Sequence, residues 1–222
     1  MKTIKKLLVL LTVACLTALS FSGCIAPKAY EPSDENLFEF VLLEDGTYSV
    51  ALKVGETLPE VVNLPKTYEE KDVTAIAENG FKGAQLSEVR IPSTIKVVGK
   101  NAFYGSTLTS VYFYKGVEEI GDGAFHSCVG LTELNLPSSL KVIGASAFFG
   151  TSIRNLTLTE KVESIGTYAF AYCEKLVKVY ISHSVSSIGE NAFAHCNEDI
   201  AFELSASNQY FKLDSNGFPV LK

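Results

Sequence analysis

Long apolar runs are scarce in this sequence. The longest one, Leu7 to Leu19, has 13 residues and follows three lysines near the N-terminus. A membrane-spanning helix needs about 20 residues, so this run is too short to cross a bilayer. A short apolar run after a basic start is typical of a secretory signal peptide. We therefore expect residues 1–23 to be a signal peptide and the protein to be exported.

The apolar run ends in Phe-Ser-Gly-Cys, which resembles the lipobox of bacterial lipoproteins. In that family the cysteine, here Cys24, is lipidated and becomes the new N-terminus. The resemblance implies a lipid anchor in the bacterial cell envelope, followed by a flexible tether over residues 24–36. Phe21 differs from the usual leucine, so cleavage at an ordinary signal-peptidase site, which would give a secreted protein, stays open.

Positive charge is also sparse. The net charge is −6, and residues 24–222 alone carry −9, because the first 23 residues hold three lysines and no acidic residue. An acidic surface disfavours nucleic acid and anionic lipid as partners. Contact with a membrane is thus expected only through the lipid on Cys24.

Catalytic signatures are missing. The sequence has no G-x-S-x-G elbow, no glycine-rich phosphate loop and no H-E-x-x-H motif. Its three histidines, His126, His183 and His195, are spread too widely along the repeats described below to converge on zinc. We expect no enzyme activity, no metal site and no cofactor.

One phrase recurs through the chain in place of these signals. Variants of Ile-Gly-x-x-Ala-Phe end in phenylalanines that are 22 or 23 residues apart, at Phe81, Phe103, Phe125, Phe148, Phe170 and Phe193. Such a fixed period indicates a stacked repeat architecture. The first copy is degenerate, as expected of a terminal repeat.

A second phrase, L-x-x-V-x-I, lies between the phenylalanines. Its alternation of apolar and polar residues predicts a strand in each repeat. The predicted strands end in Val89-x-Ile91, Val111-x-Phe113, Leu134-x-Leu136, Leu156-x-Leu158 and Val179-x-Ile181. The extra residue of the longer repeats falls in a cysteine loop after Phe125 or Phe170, which keeps strand and phenylalanine in register.

A unit of this length cannot bury its own apolar face, but stacked copies can. We call each stacked repeat a rung. The phrase therefore recurs because every rung must place the same residues in the core. We predict that the phenylalanines lie in the core, and that Gly121, Gly144, Gly166 and Gly189 lie at a corner where a side chain would clash.

The two phrases together resemble the BspA-like class of leucine-rich repeat in bacterial surface proteins. The resemblance implies a mostly β, right-handed solenoid of about six repeats, and attachment to host or neighbouring-cell components. Asp45-Gly46 and Asn216-Gly217 predict the turns of two β-hairpins that cap its ends. This sequence lacks the asparagine or cysteine ladder of commoner leucine-rich repeats. The expected parts are an N-terminal hairpin cap, the solenoid and a C-terminal cap, at residues 37–60, 61–205 and 206–222.

Three cysteines fall inside this region: Cys128, Cys173 and Cys196. Cys173 and Cys196 occupy equivalent places in adjacent rungs, at a separation that could fit a disulfide. Equivalent side chains point in parallel, however, so we favour buried, unpaired thiols. Cys128 lies two rungs from Cys173 and is expected to be free.

Outward side chains of the predicted strands offer a binding surface. The candidate ligand-binding residues are Arg90, Tyr112, Tyr114, Asn135 and Tyr180. Tyrosine and arginine are enriched at binding hot spots, although tyrosine is also an ordinary residue of sheet surfaces. The leading hypothesis is a cell-surface binding or adhesion protein with a protein ligand; a carbohydrate-binding lipoprotein and a structural envelope protein are the alternatives.

Two further sets of side chains need testing. Glu88 and Glu133 fall in one outward column two rungs apart, near the separation of the acid and base of inverting glycosidases. Solvated surface charges are the simpler interpretation of this pair. Tyr104, His126 and Phe149 follow the inward phenylalanine in successive rungs, where packing between rungs is the simpler interpretation of a second apolar ridge.

Overall fold

Strands make up most of the regular structure in the computed structural model, which describes residues 30–222. The predicted signal peptide and Cys24 lie outside the described residues. Residues Glu31–Lys222 form one compact unit. A short 3-10 helix, Glu35–Leu37, precedes the first strand, and no α-helix occurs in the described part of the chain. In chain order the strands are β1 (Phe38–Leu42), β2 (Tyr48–Leu52), β3 (Val61–Asn63), β4 (Thr67–Tyr68), β5 (Lys71–Ile76), β6 (Glu88–Ile91), β7 (Val97–Val98), β8 (Ser110–Phe113), β9 (Glu119–Ile120), β10 (Val142–Ile143), β11 (Asn155–Thr157), β12 (Ser164–Ile165), β13 (Lys178–Ile181), β14 (Ser187–Ile188), β15 (Ala201–Leu204), β16 (Phe211–Leu213) and β17 (Pro219–Leu221).

Each repeat contributes to two stacks of parallel strands. The L-x-x-V-x-I phrase forms two three-stranded sheets, β3-β6-β8 and β11-β13-β15. The short V-x-x-I segment before the glycine forms a second, longer sheet, in which β5, β7, β9, β10, β12 and β14 follow one another. Strands pair in register, one rung per step, as in Arg90 opposite Tyr112. The mostly β leucine-rich repeat solenoid is therefore confirmed.

The third copy of the strand phrase is an exception. Leu131, Leu134 and Leu136 are buried as predicted, but residues 133–136 form no ladder with either neighbour in the described chain. The predicted strand is therefore wrong at this rung. Pro137 follows it and has no N–H for the bond that Tyr114 makes to the Ile91 carbonyl. Pro92 stands at the same place directly after β6, which pairs with both of its neighbours, so a proline at this place does not by itself abolish the ladder.

The six repeated phenylalanines form a continuous stack in the core. Their ring centroids lie 5.2 to 5.5 Å apart and neighbouring planes differ by 17° or less. Phe103, Phe125, Phe148 and Phe170 are fully buried. At its two ends the stack is closed edge-to-face, by Phe38 on Phe81 and by Phe202 on Phe193. This arrangement confirms the prediction that the phenylalanines are core residues.

The repeated glycines lie where adjacent rungs touch. A Cβ on Gly166 would lie 2.4 Å from the Ala145 nitrogen, and a Cβ on Gly189 would lie 2.4 Å from the Thr167 nitrogen. Real Cβ atoms do not approach backbone so closely, so the predicted clash is confirmed. Ala77 replaces glycine in the first copy, where the N-terminal hairpin takes the place of a preceding rung and Val50 accepts the Ala77 N–H.

A hairpin lies at each end of the repeats. The N-terminal hairpin β1-β2 turns at Gly46 and adds to the long sheet through β2 and β5, which are parallel. A second hairpin, β4-β5, turns at Glu69 and Glu70, both with positive φ. The sequence does not predict this hairpin, because such turns usually carry asparagine, aspartate or glycine. The Tyr48 hydroxyl donates to Glu69 and holds this turn against the first hairpin.

The C-terminal hairpin β16-β17 turns at Gly217 and is fixed by the buried Asn208. The Asn208 amide nitrogen donates to the carbonyls of Ser182 and Val185, and its oxygen accepts the N–H groups of Tyr210 and Phe211. Asn208 thus supplies at the last turn the amide that the repeats themselves lack. Inside the repeats, hydroxyls bond some corner carbonyls instead, such as Ser139 to Val117 and Ser184 to Val162.

The three cysteines of the described chain are unpaired, as favoured from the sequence. Each thiol donates to the carbonyl of the phenylalanine one rung earlier: Cys128 to Phe103, Cys173 to Phe148 and Cys196 to Phe170. Burial raises the pKa of all three thiols, that of Cys173 to about 11 and that of Cys196 to about 12. These cysteines therefore serve as small core residues with a weak donor.

Candidate functional site

The outward side of the L-x-x-V-x-I strands carries the predicted ligand-binding residues. We call this side the strand face. Arg90 on β6 lies beside Tyr112 on β8, and the rings of Tyr112 and Tyr114 meet edge-to-face at 4.8 Å. The Arg90 Nε donates to Glu88 Oε1 at 2.6 Å, which orients the guanidinium along the sheet. Tyr112 keeps 56% of its surface exposed, so it is available to a ligand.

The missing ladder at residues 133–136 opens a cleft in this face. One pocket, of about 180 Å³, lies between this segment and β8 and is lined by Glu88, Ser110, Val111, Tyr112, Glu133 and Asn135. A second, of about 230 Å³, lies toward β11 and is lined by Thr132, Glu133, Leu134, Asn135, Arg154 and Asn155. We call the two together the sheet-break cleft. Without cross-strand bonds the backbone leaves room on either side of Glu133 and Asn135.

Four of the predicted residues therefore cluster at or beside the cleft, and the fifth does not. Tyr112 and Asn135 line it, while Tyr114 and Arg90 contact its lining residues. Tyr180 belongs to the other three-stranded sheet, opposite Thr157 on one side and Glu203 on the other. Arg154 and Asn155 were not among the predicted ligand-binding residues, because nothing in the repeat pattern marks the rung at which the ladder fails.

Glu88 and Glu133 share the first pocket, as their common column predicted. Glu88 is already engaged by Arg90, and Glu133 is exposed to solvent. Glycoside hydrolysis needs one carboxyl that stays protonated, which requires burial or a neighbouring negative charge. The open position of Glu133 and the ion pair of Glu88 with Arg90 are typical of solvated surface charges, which was the simpler interpretation of the two.

A second aromatic stack runs along the outside of the solenoid. It contains Tyr104, His126, Phe149, Tyr172 and His195, with centroids 4.5 to 4.8 Å apart. The first three were predicted to form a ridge, and the structure extends it by two rungs. Because each ring covers the face of the next, the stack exposes mainly ring edges. Packing between rungs therefore explains it, which was the simpler of the two interpretations.

Neither a cluster of metal-ligating side chains nor a membrane-spanning helix occurs in the part of the chain that the structure describes. Within residues 30–222 no group of three histidine, cysteine, aspartate or glutamate side chains is placed to hold a metal ion. No helix in the same part of the chain is long and apolar enough to cross a membrane.

Comparisons with known proteins agree with this architecture. A family model described as BspA type leucine-rich repeat region matches residues 63–214 in six copies. A comparison with curated protein sequences found no match.

Solved structures of bacterial leucine-rich repeat proteins are similar to this chain. The T. pallidum leucine-rich repeat protein is 26% identical with a TM-score of 0.64, over 78% of this chain and 86% of that one. A leucine-rich repeat protein from Bacteroides ovatus is 28% identical with a TM-score of 0.58, over 78% of this chain but only 53% of that one. A leucine-rich cell surface protein from Faecalibacterium prausnitzii shares the fold at 23% identity with a TM-score of 0.60, over 88% and 62% of the two chains.

The family model covers well over half of the 222 residues. Its repeats typically occur in surface-associated bacterial proteins and form scaffolds that are generally non-catalytic. This chain belongs to the BspA-type leucine-rich repeat family.

Proposed function

We propose that this protein is a cell-surface binding protein that holds a protein ligand on its strand face, centred on the sheet-break cleft. The observation that carries the proposal is the cleft itself, where a regular sheet opens and groups exposed aromatic, carboxylate and amide side chains. Tyr112 supplies apolar area with a polar end, and tyrosine is among the residues that dominate binding energy at interfaces. A rigid row of outward side chains suits an extended partner.

A glycan is the second candidate ligand, favoured by the chemistry of the first pocket. Two carboxylates, the Ser110 hydroxyl, the Asn135 amide and the Tyr112 ring line about 180 Å³. Such a set can bond sugar hydroxyls and pack against a ring face. Small-molecule sites combine a few placed polar groups with apolar surface in this way.

Substitution in the cleft tests the proposal. The double variant Tyr112→Ala, Asn135→Ala removes two lining side chains without touching buried residues. We expect it to lose at least tenfold in affinity for the ligand found on a panel of matrix proteins and glycans. Tyr210→Ala is the matched control, since Tyr210 is 47% exposed but lies near the C-terminal hairpin. Equal binding by the double variant and the wild type would place the site elsewhere.

Export and anchoring belong to the same proposal. Residues 1–23 would be removed, Cys24 would carry lipid, and the tether would lie within residues 24–36, ahead of the hairpin cap, the repeats and the C-terminal cap at 37–60, 61–205 and 206–222. The last residues of this segment are bound to the repeats, since the Ser33 N–H donates to the Asn63 carbonyl and the Asn63 amide donates to the Glu31 carbonyl. The Cys24→Ser variant is expected to move from the membrane fraction to the medium. Unchanged membrane association would contradict the lipid anchor and leave the binding proposal untouched.

A further inference from the structure

In every rung except the last, three backbone N–H groups donate hydrogen bonds to carbonyls of the following rung. The donors lie two residues before the inward phenylalanine, at the phenylalanine, and two residues after it. The acceptors are carbonyls at alternate positions around the next phenylalanine. These bonds measure 2.7 to 3.1 Å after each of Phe81, Phe103, Phe125, Phe148 and Phe170. Around the repeated phenylalanine, the N–H donors of each rung therefore face the C-terminal end of the solenoid.

The last rung has the same three donors and no rung to receive them. The N–H groups of Asn191, Phe193 and His195 have no acceptor within residues 30–222. Their counterparts one rung earlier, at Tyr168, Phe170 and Tyr172, are all bonded. The C-terminal hairpin does not replace the missing rung here, because Asn208 fixes it at the Ser182 to Val185 corner.

An apolar pocket adjoins these donors. It has a volume of about 260 Å³, and its lining includes Ile188, Ala192, Phe193, Phe218 and Pro219. Phe218 is 41% exposed, although it is a large apolar side chain. Beside the pocket, β14 is the last strand of the long sheet and is paired on one side only. Unpaired N–H groups, an open strand edge and an apolar pocket thus meet at one end of the molecule.

We propose that this end binds an extended segment of a partner protein, which adds to the solenoid as a further rung. The segment would run alongside β14, present carbonyls at alternate residues to Asn191, Phe193 and His195, and place an apolar side chain in the pocket that Phe193 and Phe218 line. Addition of a strand to an open sheet edge is an established way to bind peptides, with backbone bonds giving affinity and pockets giving selectivity. This site is separate from the sheet-break cleft.

A second copy of this chain does not fit the same role. A head-to-tail copy would have to present the carbonyls of its first rung. That rung is covered by the N-terminal hairpin, whose Leu52 N–H already bonds the Gly80 carbonyl. The geometry at the two ends therefore favours a different protein as the occupant.

Amide hydrogen exchange of the free protein, followed by NMR, tests the premise. We expect the amides of Asn191, Phe193 and His195 to exchange at least tenfold faster than those of Tyr168, Phe170 and Tyr172, which are their matched controls. Slow exchange of the last-rung amides, or protection that grows with protein concentration, would show that the edge is already covered and would overturn the proposal.

A peptide probe tests the binding. The peptide copies residues 142–153, the segment whose carbonyls receive the donors of the preceding rung, with lysines added for solubility. We expect it to bind and to protect the three amides. A control peptide in which the carbonyls matching Ala145, Ala147 and Phe149 are replaced by methylene groups is expected not to bind.

Variants of the pocket complete the test. Phe218→Ser removes a pocket wall and is expected to weaken peptide binding at least tenfold. Leu213→Ser is the matched control, because Leu213 is 39% exposed on the same hairpin but does not line the pocket. Equal binding by the two peptides, or equal loss in the two variants, would overturn the proposal.

Discussion

Two aromatic stacks run the length of the same repeats and obey different rules. The inner stack uses phenylalanine at one fixed position in every rung, whereas the outer stack mixes tyrosine, histidine and phenylalanine. The outer stack also changes position: its rings follow the inner phenylalanine directly at Tyr104, His126 and Phe149, but stand one residue further on at Tyr172 and His195. Close packing from both sides fixes the inner position, while solvent on one side leaves the outer one free to shift.

The shift has a conformational cost. Tyr172 and His195 have φ of 58° and 56°, at the place where Gly83, Gly105 and Gly150 stand in other rungs. The left-handed region costs a residue with a Cβ about 1–2 kcal/mol. The stacking of Tyr172 on Phe149 and of His195 on Tyr172 offsets part of this cost.

The neighbouring residues Phe148 and Phe149 give the most direct test of the difference between the stacks. Phe148→Ala leaves a cavity between Phe125 and Phe170 and is expected to lower the free energy of unfolding by about 3–5 kcal/mol. Phe149→Ala removes two partly exposed ring contacts and is expected to cost about 0.5–1.5 kcal/mol. Urea denaturation of both variants measures the two values, and equal costs would contradict the distinction.

Contact between rungs at the glycine corner is the next largest effect. Gly166→Ala forces a Cβ against the backbone of Ala145 and is expected to cost about 1–3 kcal/mol, since neither rung can move without disturbing its ladder. Thr167→Ala is the control, because Thr167 is exposed beside Gly166 and the change adds no atom at this corner. Thermal unfolding should rank Gly166→Ala as the more destabilised variant, and the reverse order would show that the rungs can separate.

The thiols beside the inner stack predict a loss of stability at alkaline pH. The pKa of Cys173 is raised from 9.0 to about 11 by burial, so the folded state disfavours the thiolate. The contribution of the protonated Cys173 thiol to the free energy of unfolding is fully present below pH 9 and is lost as the pH rises toward 11. Cys173→Thr, which copies Thr151 one rung earlier, should reduce the fall in unfolding free energy between these pH values. An unchanged pH profile would show that the thiol does not titrate in the unfolding equilibrium.

The outer stack predicts a smaller effect on the acid side. Burial between Tyr104 and Phe149 lowers the pKa of His126 below 6.5. The folded protein therefore binds this proton less well than the unfolded chain, and stability is lost as the pH falls below about 6.5. His126→Phe should flatten the profile between pH 7 and 5.5. A variant as sensitive to acid as the wild type would assign the sensitivity to other groups.

The repeat pattern predicted the fold well because each rung must satisfy the same packing requirements. The positions of Phe125, Phe148 and Gly166 were readable from their period alone, and so were the unpaired thiols, since equivalent side chains point in parallel. The β4-β5 hairpin was missed because Glu69 and Glu70 do not resemble a tight turn. The sheet formed by the V-x-x-I segments was not predicted either, because most of them contribute only two residues to it.

The candidate site was predictable only in part. The column through Arg90 and Tyr112 followed from strand alternation. The cleft, however, depends on the missing strand pairing at residues 133–136, which the repeat pattern does not predict. Arg154 lines the cleft because the same missing pairing leaves room beside it.

The sequence by itself determined the period, the inward residues and the family, because a stacked rung repeats whatever its neighbours require. The tertiary structure alone decided where the sheet opens, where the outer stack changes position, and which backbone donors remain without an acceptor. These three features depend on how a rung meets what lies next to it, and in the case of Asn191, Phe193 and His195 on the absence of a further rung.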